Sequence, residues 1–134
     1  MLLPATPAAG AEAEREAIAQ LNEVRRANGV PALRVSGSLS HSSGRYARRM
    51  LRHDFFGHGA EIEVAGEFQS AGETIAWHSG RNPQPRRTVK RWMASSGHRS
   101  VLLSPSFRWV GIGLAKGKLG GRVATTWVAH VGSR

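Results

Sequence analysis

Three polar residues stand apart from the rest of the chain by their surroundings. His58 follows two phenylalanines in DFFGHG, Glu73 lies in AGETIAW, and His98 lies in SSGHRS. Two imidazoles and one carboxylate are a common ligand set for a divalent metal with an open position. The same groups suit general acid–base chemistry, in which a carboxylate tunes a histidine. No local motif forces the three together, so ordinary core or surface histidines are a further interpretation.

Composition restricts the classes of site that the chain can carry. The 134 residues are enough for one domain with a real core, and they include no cysteine. Disulfides, thiolate metal sites and a cysteine nucleophile are therefore excluded. No apolar run approaches the roughly 20 residues that a membrane helix needs.

The first residues predict a short segment outside the domain. Residues 1–11 lack the basic and long apolar regions of a signal peptide, but they resemble the small-residue tail that remains after such a peptide is removed. We therefore expect a flexible segment over 1–11, a single domain over 12–134 and a secreted protein.

Positive charge is concentrated in the second half of the chain. Residues 1–67 contain eight acidic and eight basic residues, whereas residues 68–134 contain Glu73 against eleven basic residues. A basic surface attracts nucleic acid, anionic lipid and acidic wall polymers alike. Because no nucleic-acid motif is present, specific binding to nucleic acid ranks last among these options.

Periodicity predicts helices first and a hairpin last. Residues 12–28 and 38–52 have helical apolar spacing, with Ser38 as the expected N-cap of the second helix. Residues 53–77 are glycine-rich and predict mostly loop, with at most a short strand or helical turn, and 88–94 predict a short helix. Two strands around GKLGG close the chain, so we expect an α+β layered domain.

The order of the motifs identifies a resemblance that covers about residues 16–132. LNEVRRANGVPALRVSGSLS, YARRMLRHDFFGHG, AGETIAW and RWMASSGHRSVLLSPSFRWVGIGLA follow one another as in the CAP superfamily. This superfamily groups cysteine-rich secretory proteins, antigen 5 and pathogenesis-related 1 proteins. The chain most resembles its short bacterial branch of secreted, SCP-like single domains.

The resemblance implies a three-layer α-β-α sandwich, with a small antiparallel sheet between helices. It also implies that His58, Glu73 and His98 converge in one cleft. There the two histidines bind zinc or another divalent cation, and the carboxylate of Glu73 lies beside them as a candidate catalytic group. In that arrangement Gly97 lets the chain turn tightly so that His98 faces the cleft, and Glu73 raises the pKa of the histidines beside it. Trp77, His78 and Ser96 are candidate cleft-lining residues, and no organic cofactor is expected.

Several positions depart from the family pattern. The helix before His98 reads WMASSG and lacks the second glutamate that many eukaryotic members have there. Thr74 replaces the asparagine of the family's GEN motif, and His130 stands where an aromatic residue is usual. We interpret His130 as an ordinary residue and the arginines of the second helix as its solvated face.

Three functions remain open from the sequence. The first is a secreted, monomeric binding module for a lipid, a cell-wall polymer or a protein partner. The second is a metal-dependent hydrolase in which His58 and His98 hold the cation and Glu73 is the base. The third is nonspecific polyanion or nucleic-acid binding through the basic half. The missing second glutamate favours binding over catalysis, but whether the chain is an enzyme stays open.

Overall fold

The computed structural model describes the backbone of residues 9–134. Its elements are α1 Ala9–Ala27, β1 Arg34–Val35, α2 Gly37–Arg52, β2 Ser70–Ser79, α3 Pro85–Met93, α4 Ser96–Leu102, β3 Trp109–Leu119 and β4 Arg122–Ser133. Most of the predicted N-terminal segment lies outside the described residues, and its last three residues belong to α1. None of the described helices combines the length and the apolar character needed to cross a membrane.

One four-stranded sheet forms the middle layer, in the order β1-β3-β4-β2. β2, β4 and β3 are antiparallel, and the two-residue β1 runs parallel to β3. Because side chains alternate along a strand, consecutive residues of β4 enter two different cores. Trp127 packs with α1 and α3 on one face, and Val128 packs with α2 on the other. The predicted three-layer α-β-α sandwich is thus confirmed.

Glycines on β3 allow α2 to lie directly on the sheet. A Cβ atom at Gly111 would stand 2.0 Å from the backbone carbon of Leu39, and one at Gly113 would stand 2.3 Å from the backbone nitrogen of Gly44. Real side chains cannot approach this closely, so these positions exclude every residue larger than glycine. Because α2 and β3 lie so close together, the hydroxyl of Ser43 can donate to the carbonyl of Gly111 over 2.8 Å.

A buried arginine ties the end of α1 to the loop between α4 and β3. The guanidinium of Arg25 is fully buried and donates to four backbone carbonyls, which belong to Pro31, Leu102, Ser104 and Phe107. Burial, and then the charge of Arg108, lowers the pKa of Arg25. Since Leu102 is the last residue of α4, this contact fixes the helix that carries His98.

Three sequence expectations about the elements need correction. The N-cap of α2 is Ser36, whose hydroxyl accepts from the Leu39 amide over 3.2 Å, and not Ser38. Residues 70–77 lie in a segment expected to be loop with at most a short strand, but they form most of the ten-residue β2, because ten register pairs with β4 outweigh the weak local pattern. Gly97 makes no tight turn, because it is a residue of α4 and has no positive φ.

The close packing of α2 on β3 predicts a large effect of one methyl group. Gly111→Ala places a Cβ on the α2 backbone, and we expect it to lower the free energy of unfolding by at least about 3 kcal/mol, the upper end for overpacked sites. Gly37→Ala is the matched control, because a Cβ at this position meets no atom within 4 Å other than those of its own helix backbone and chain neighbours. Urea denaturation of both variants checks this. Equal stability for the two would show that α2 can move away from the sheet at little cost.

Candidate functional site

Strand pairing brings two of the polar residues together. In the antiparallel register of β2 and β4, Glu73 lies directly opposite His130, on the face that α2 covers. Side chains opposite each other on one face of such a pair lie close enough to interact. The fold therefore gives His130, which the sequence analysis set aside as ordinary, a central place in the site.

Glu73 accepts a hydrogen bond on each of its carboxylate oxygens. Nδ1 of His58 lies 2.7 Å from Oε1, and Nε2 of His130 lies 2.7 Å from Oε2. The side chains of Glu73 and His130 are 4% and 2% exposed, whereas that of His58 is 56% exposed. The cluster thus links a buried imidazole to one at the surface through a single carboxylate.

The two imidazoles keep Glu73 ionised. Burial alone would raise the pKa of Glu73, but hydrogen bonds from His130 and His58 and the charges of these rings outweigh it and lower that pKa below 4.5. A carboxylate can only accept, so Nε2 of His130 and Nδ1 of His58 must both carry protons. When His58 is neutral, its Nε2 therefore holds the free lone pair.

Ser42 of α2 completes the polar cluster on its buried side. Its hydroxyl lies 2.7 Å from Nδ1 of His130 and 3.1 Å from the carbonyl of Leu39. It can donate to Nδ1 when the ring of His130 is neutral. When the ring is charged, it can accept from Nδ1 and donate to Leu39 instead. The contact can thus be satisfied in both protonation states of His130.

His98 lies near the cluster but is not hydrogen-bonded to Glu73. It is carried by α4, and its Nδ1 is buried without a hydrogen-bond partner among the described residues. Burial, and then the charge of His58, lowers the pKa of His98. The expectation that Glu73 raises the pKa of His98 is therefore wrong, because Glu73 lies between His58 and His130.

A pocket of about 250 Å³ opens beside the cluster, between α2 and residues 59–63. Its lining residues are Ser42, Arg45, Tyr46, Arg49, Gly59, Ala60, Glu61, Glu63, Glu73 and His130. The four residues from α2 recur at helical spacing and so share one face of that helix. Arg45 and Arg49, which the sequence analysis assigned to a solvated helix face, thus line a pocket. The sequence does not show this, because the pocket exists only where residues 59–63 lie across from α2.

The three candidate cleft-lining residues lie outside this pocket. Trp77 shares the sheet face of Glu73 and is 40% exposed. His78 lies on the opposite face by strand alternation, and its Nε2 is 2.6 Å from the carbonyl oxygen of Asn82. Ser96 is exposed at the start of α4. A contact between these residues and a ligand stays a prediction.

The described residues do not fit a zinc centre. Among residues 9–134, no group of three or more histidine, aspartate and glutamate side chains could hold a metal ion. Both oxygens of Glu73 already accept hydrogen bonds, which leaves the imidazoles of His58 and His98 as the available donors. Protein zinc sites usually supply at least three ligands.

The pKa of Glu73 predicts how its substitution changes stability with pH. Because the folded pKa is lowered, the stability that the carboxylate contributes is present above pH 4.5 and is lost as the pH falls through the folded pKa. We expect Glu73→Gln to cost about 2–4 kcal/mol at pH 7, since hydrogen bonds to charged groups are lost, and progressively less as the pH falls from 4.5 through the folded pKa. Thermal or urea unfolding between pH 3 and 8 measures this.

Glu67→Gln controls for the loss of one negative charge at an exposed carboxylate, and we expect it to cost less than about 1 kcal/mol. A cost for Glu73→Gln that did not change with pH would contradict the ionised state of Glu73.

Comparisons with known proteins agree with this architecture. The Bacillus subtilis protein YkwD is 30% identical over 109 residues, which cover 75% of this chain and 41% of YkwD. An outer surface protein of Borrelia burgdorferi superposes with a TM-score of 0.75 at 17% identity, covering 92% of this chain and 93% of that one. An extracellular protein with an SCP domain from Bacillus anthracis gives 0.75 at 19% identity, covering 99% of this chain and 45% of that one.

The chain thus spans less than half the length of two of these relatives, and the structural likenesses below 25% identity show the fold alone. The family described as "CAP: Cysteine-rich secretory protein family" matches residues 18–131, nearly the whole of the described chain. This chain belongs to the CAP family of cysteine-rich secretory proteins.

Proposed function

We propose that this chain is a secreted binding module whose recognition site is the pocket beside Glu73, and that its ligand is a polar polymer of the cell envelope. The observation that carries the proposal is that both oxygens of Glu73 accept hydrogen bonds from imidazoles. A carboxylate held in this way positions two rings and is poorly placed to take a proton from water.

The chemistry of the pocket supports a polar ligand over a lipid tail. Guanidinium, carboxylate, hydroxyl and imidazole groups line it, and Tyr46 supplies its aromatic side chain. Its volume of about 250 Å³ lies below the range of pockets that take drug-sized ligands. A single sugar residue or side group of a polymer matches both the size and the polarity.

Two relatives support an extracellular location. One is described as an outer surface protein and another as an extracellular protein that contains an SCP domain. The match of this chain to less than half of the Bacillus anthracis protein is consistent with a domain that serves as a module in longer proteins.

Hydrolysis assisted by a metal receives less support. In that reaction His58 and His98 would hold the ion and Glu73 would act as base. The described residues lack a third donor for such an ion, and the low pKa of Glu73 makes it a weak base near neutral pH.

A sedimentation assay with insoluble peptidoglycan tests the proposal. We expect the wild type to sediment with the polymer without releasing soluble fragments, and we expect zinc or a chelator to change neither result. Glu73→Gln should reduce retention by about tenfold, because His58 and His130 lose the carboxylate that positions them. A tenfold effect corresponds to a loss of roughly 1.4 kcal/mol of binding free energy.

Glu23→Gln is the matched control, since it removes the same charge from an exposed position on α1. No retention of the wild type, or equal retention of both variants, would contradict a binding site at Glu73. Release of fragments that required Glu73 would instead establish the hydrolase, and a zinc-dependent rise in melting temperature abolished by His58→Ala and His98→Ala would establish a metal site.

A further inference from the structure

One ion-pair cluster in the pocket joins two arginines of α2 to a single glutamate. Arg45 and Arg49 stand one turn apart on α2 and both approach the carboxylate of Glu63, in the segment across the pocket. The distances are 3.8 Å from Nη2 of Arg45 to Oε2 and 3.9 Å from Nη1 of Arg49 to Oε1. Each arginine thus approaches a different oxygen of one carboxylate, and neither is within hydrogen-bond distance.

The arginines are well placed for an anion but poorly satisfied by Glu63. Charge-assisted bonds between guanidinium and an oxyanion form at about 2.7–2.9 Å, so this arrangement is about 1 Å too open. All three side chains are more than half exposed, and such ion pairs contribute little to stability. Displacing Glu63 from the arginines therefore costs little.

We propose that Arg45 and Arg49 form an oxyanion subsite of the pocket, and that the carboxylate of Glu63 occupies this subsite until a ligand's carboxylate or phosphate group replaces it. The inference rests on the proposed function and specifies its ligand: the polymer carries an anionic group at the sugar or side group that enters the pocket.

The position of the subsite within the pocket supports this assignment. The pocket brings the two arginines to the same space as the buried cluster of Ser42, Glu73 and His130. Both oxygens of Glu73 are already occupied by imidazole N–H donors, and Glu61, the third acidic residue of the lining, pairs with neither arginine among the described residues. A ligand with an anionic group and neighbouring hydroxyls could therefore use both ends of the pocket.

A pair of matched sugars tests the subsite by calorimetric or NMR titration of the full chain. N-acetylmuramic acid differs from N-acetylglucosamine by a lactyl group that ends in a carboxylate. We expect N-acetylmuramic acid to bind about tenfold more tightly, and we expect Arg45→Gln and Arg49→Gln each to remove most of that preference. Glycerol 3-phosphate in place of the sugars determines whether the group preferred is a phosphate.

Two further variants make the test specific. Glu63→Gln should strengthen binding of the anionic probe several-fold, because the competing carboxylate is gone, while leaving the neutral sugar unaffected. Arg52→Gln, an exposed change on the same helix outside the pocket lining, should alter neither.

Two results would overturn the proposal. In the first, the wild type and Glu63→Gln both bind N-acetylmuramic acid and glycerol 3-phosphate no more tightly than N-acetylglucosamine. In the second, Arg45→Gln and Arg49→Gln both retain the preference for the anionic probe. Retention on peptidoglycan distinguishes a failure of the oxyanion subsite from a failure of the proposed binding function. If retention still depends on Glu73 when the anion preference is absent, the subsite alone fails. If retention is also absent, the proposed function fails with it.

Discussion

The close approach of α2 to β3 is the constraint on which the site depends. Gly111 and Gly113 leave room for the helix backbone itself, so the hydroxyls of Ser42 and Ser43 in α2 reach the strands beneath them. Ser43 accepts from the His130 amide over 3.1 Å, and Ser42 contacts the ring of the same residue. A side chain on either glycine would lift α2 from the sheet and open these contacts, because protein interiors leave little spare volume.

The position of α2 on the sheet restricts how the side chains of Ser42, Glu73 and His130 can be arranged. The register of β2 against β4 sets Glu73 beside His130, and Ser42 closes the cluster from above. Every described member of this chain of contacts therefore has a partner, as buried polar groups require. The outer imidazole, His58, is hydrogen-bonded to Glu73 through Nδ1, and more than half of its side chain is exposed. Arg45 and Arg49 of the same helix line the pocket, so the helix that packs on the sheet also forms one wall of the pocket.

The sequence predicts the parts of this structure that local patterns determine. The amphipathic helices, the terminal hairpin and the motif order led to the fold, and they marked His58, Glu73 and His98 as candidate site residues. The full length of β2 is not predicted, because pairing with residues more than 40 positions later stabilises this strand and its local pattern is weak. His130 was missed for a related reason: its side-chain partners lie 57 and 88 positions away. Arg25 has the ordinary place of a basic residue at a helix end, and only tertiary structure shows that it is fully buried.

Glu73 is an ionised acceptor shared by two imidazoles, which makes it a positioning group. The most direct test is to record long-range ¹H–¹⁵N NMR correlations of the histidine side chains near pH 8. We expect His58 to be the tautomer protonated on Nδ1 and Nε2 of His130 to carry a proton, and we expect both signals to change in Glu73→Gln. A His58 ring protonated on Nε2 alone, unaffected by that substitution, would contradict this expectation.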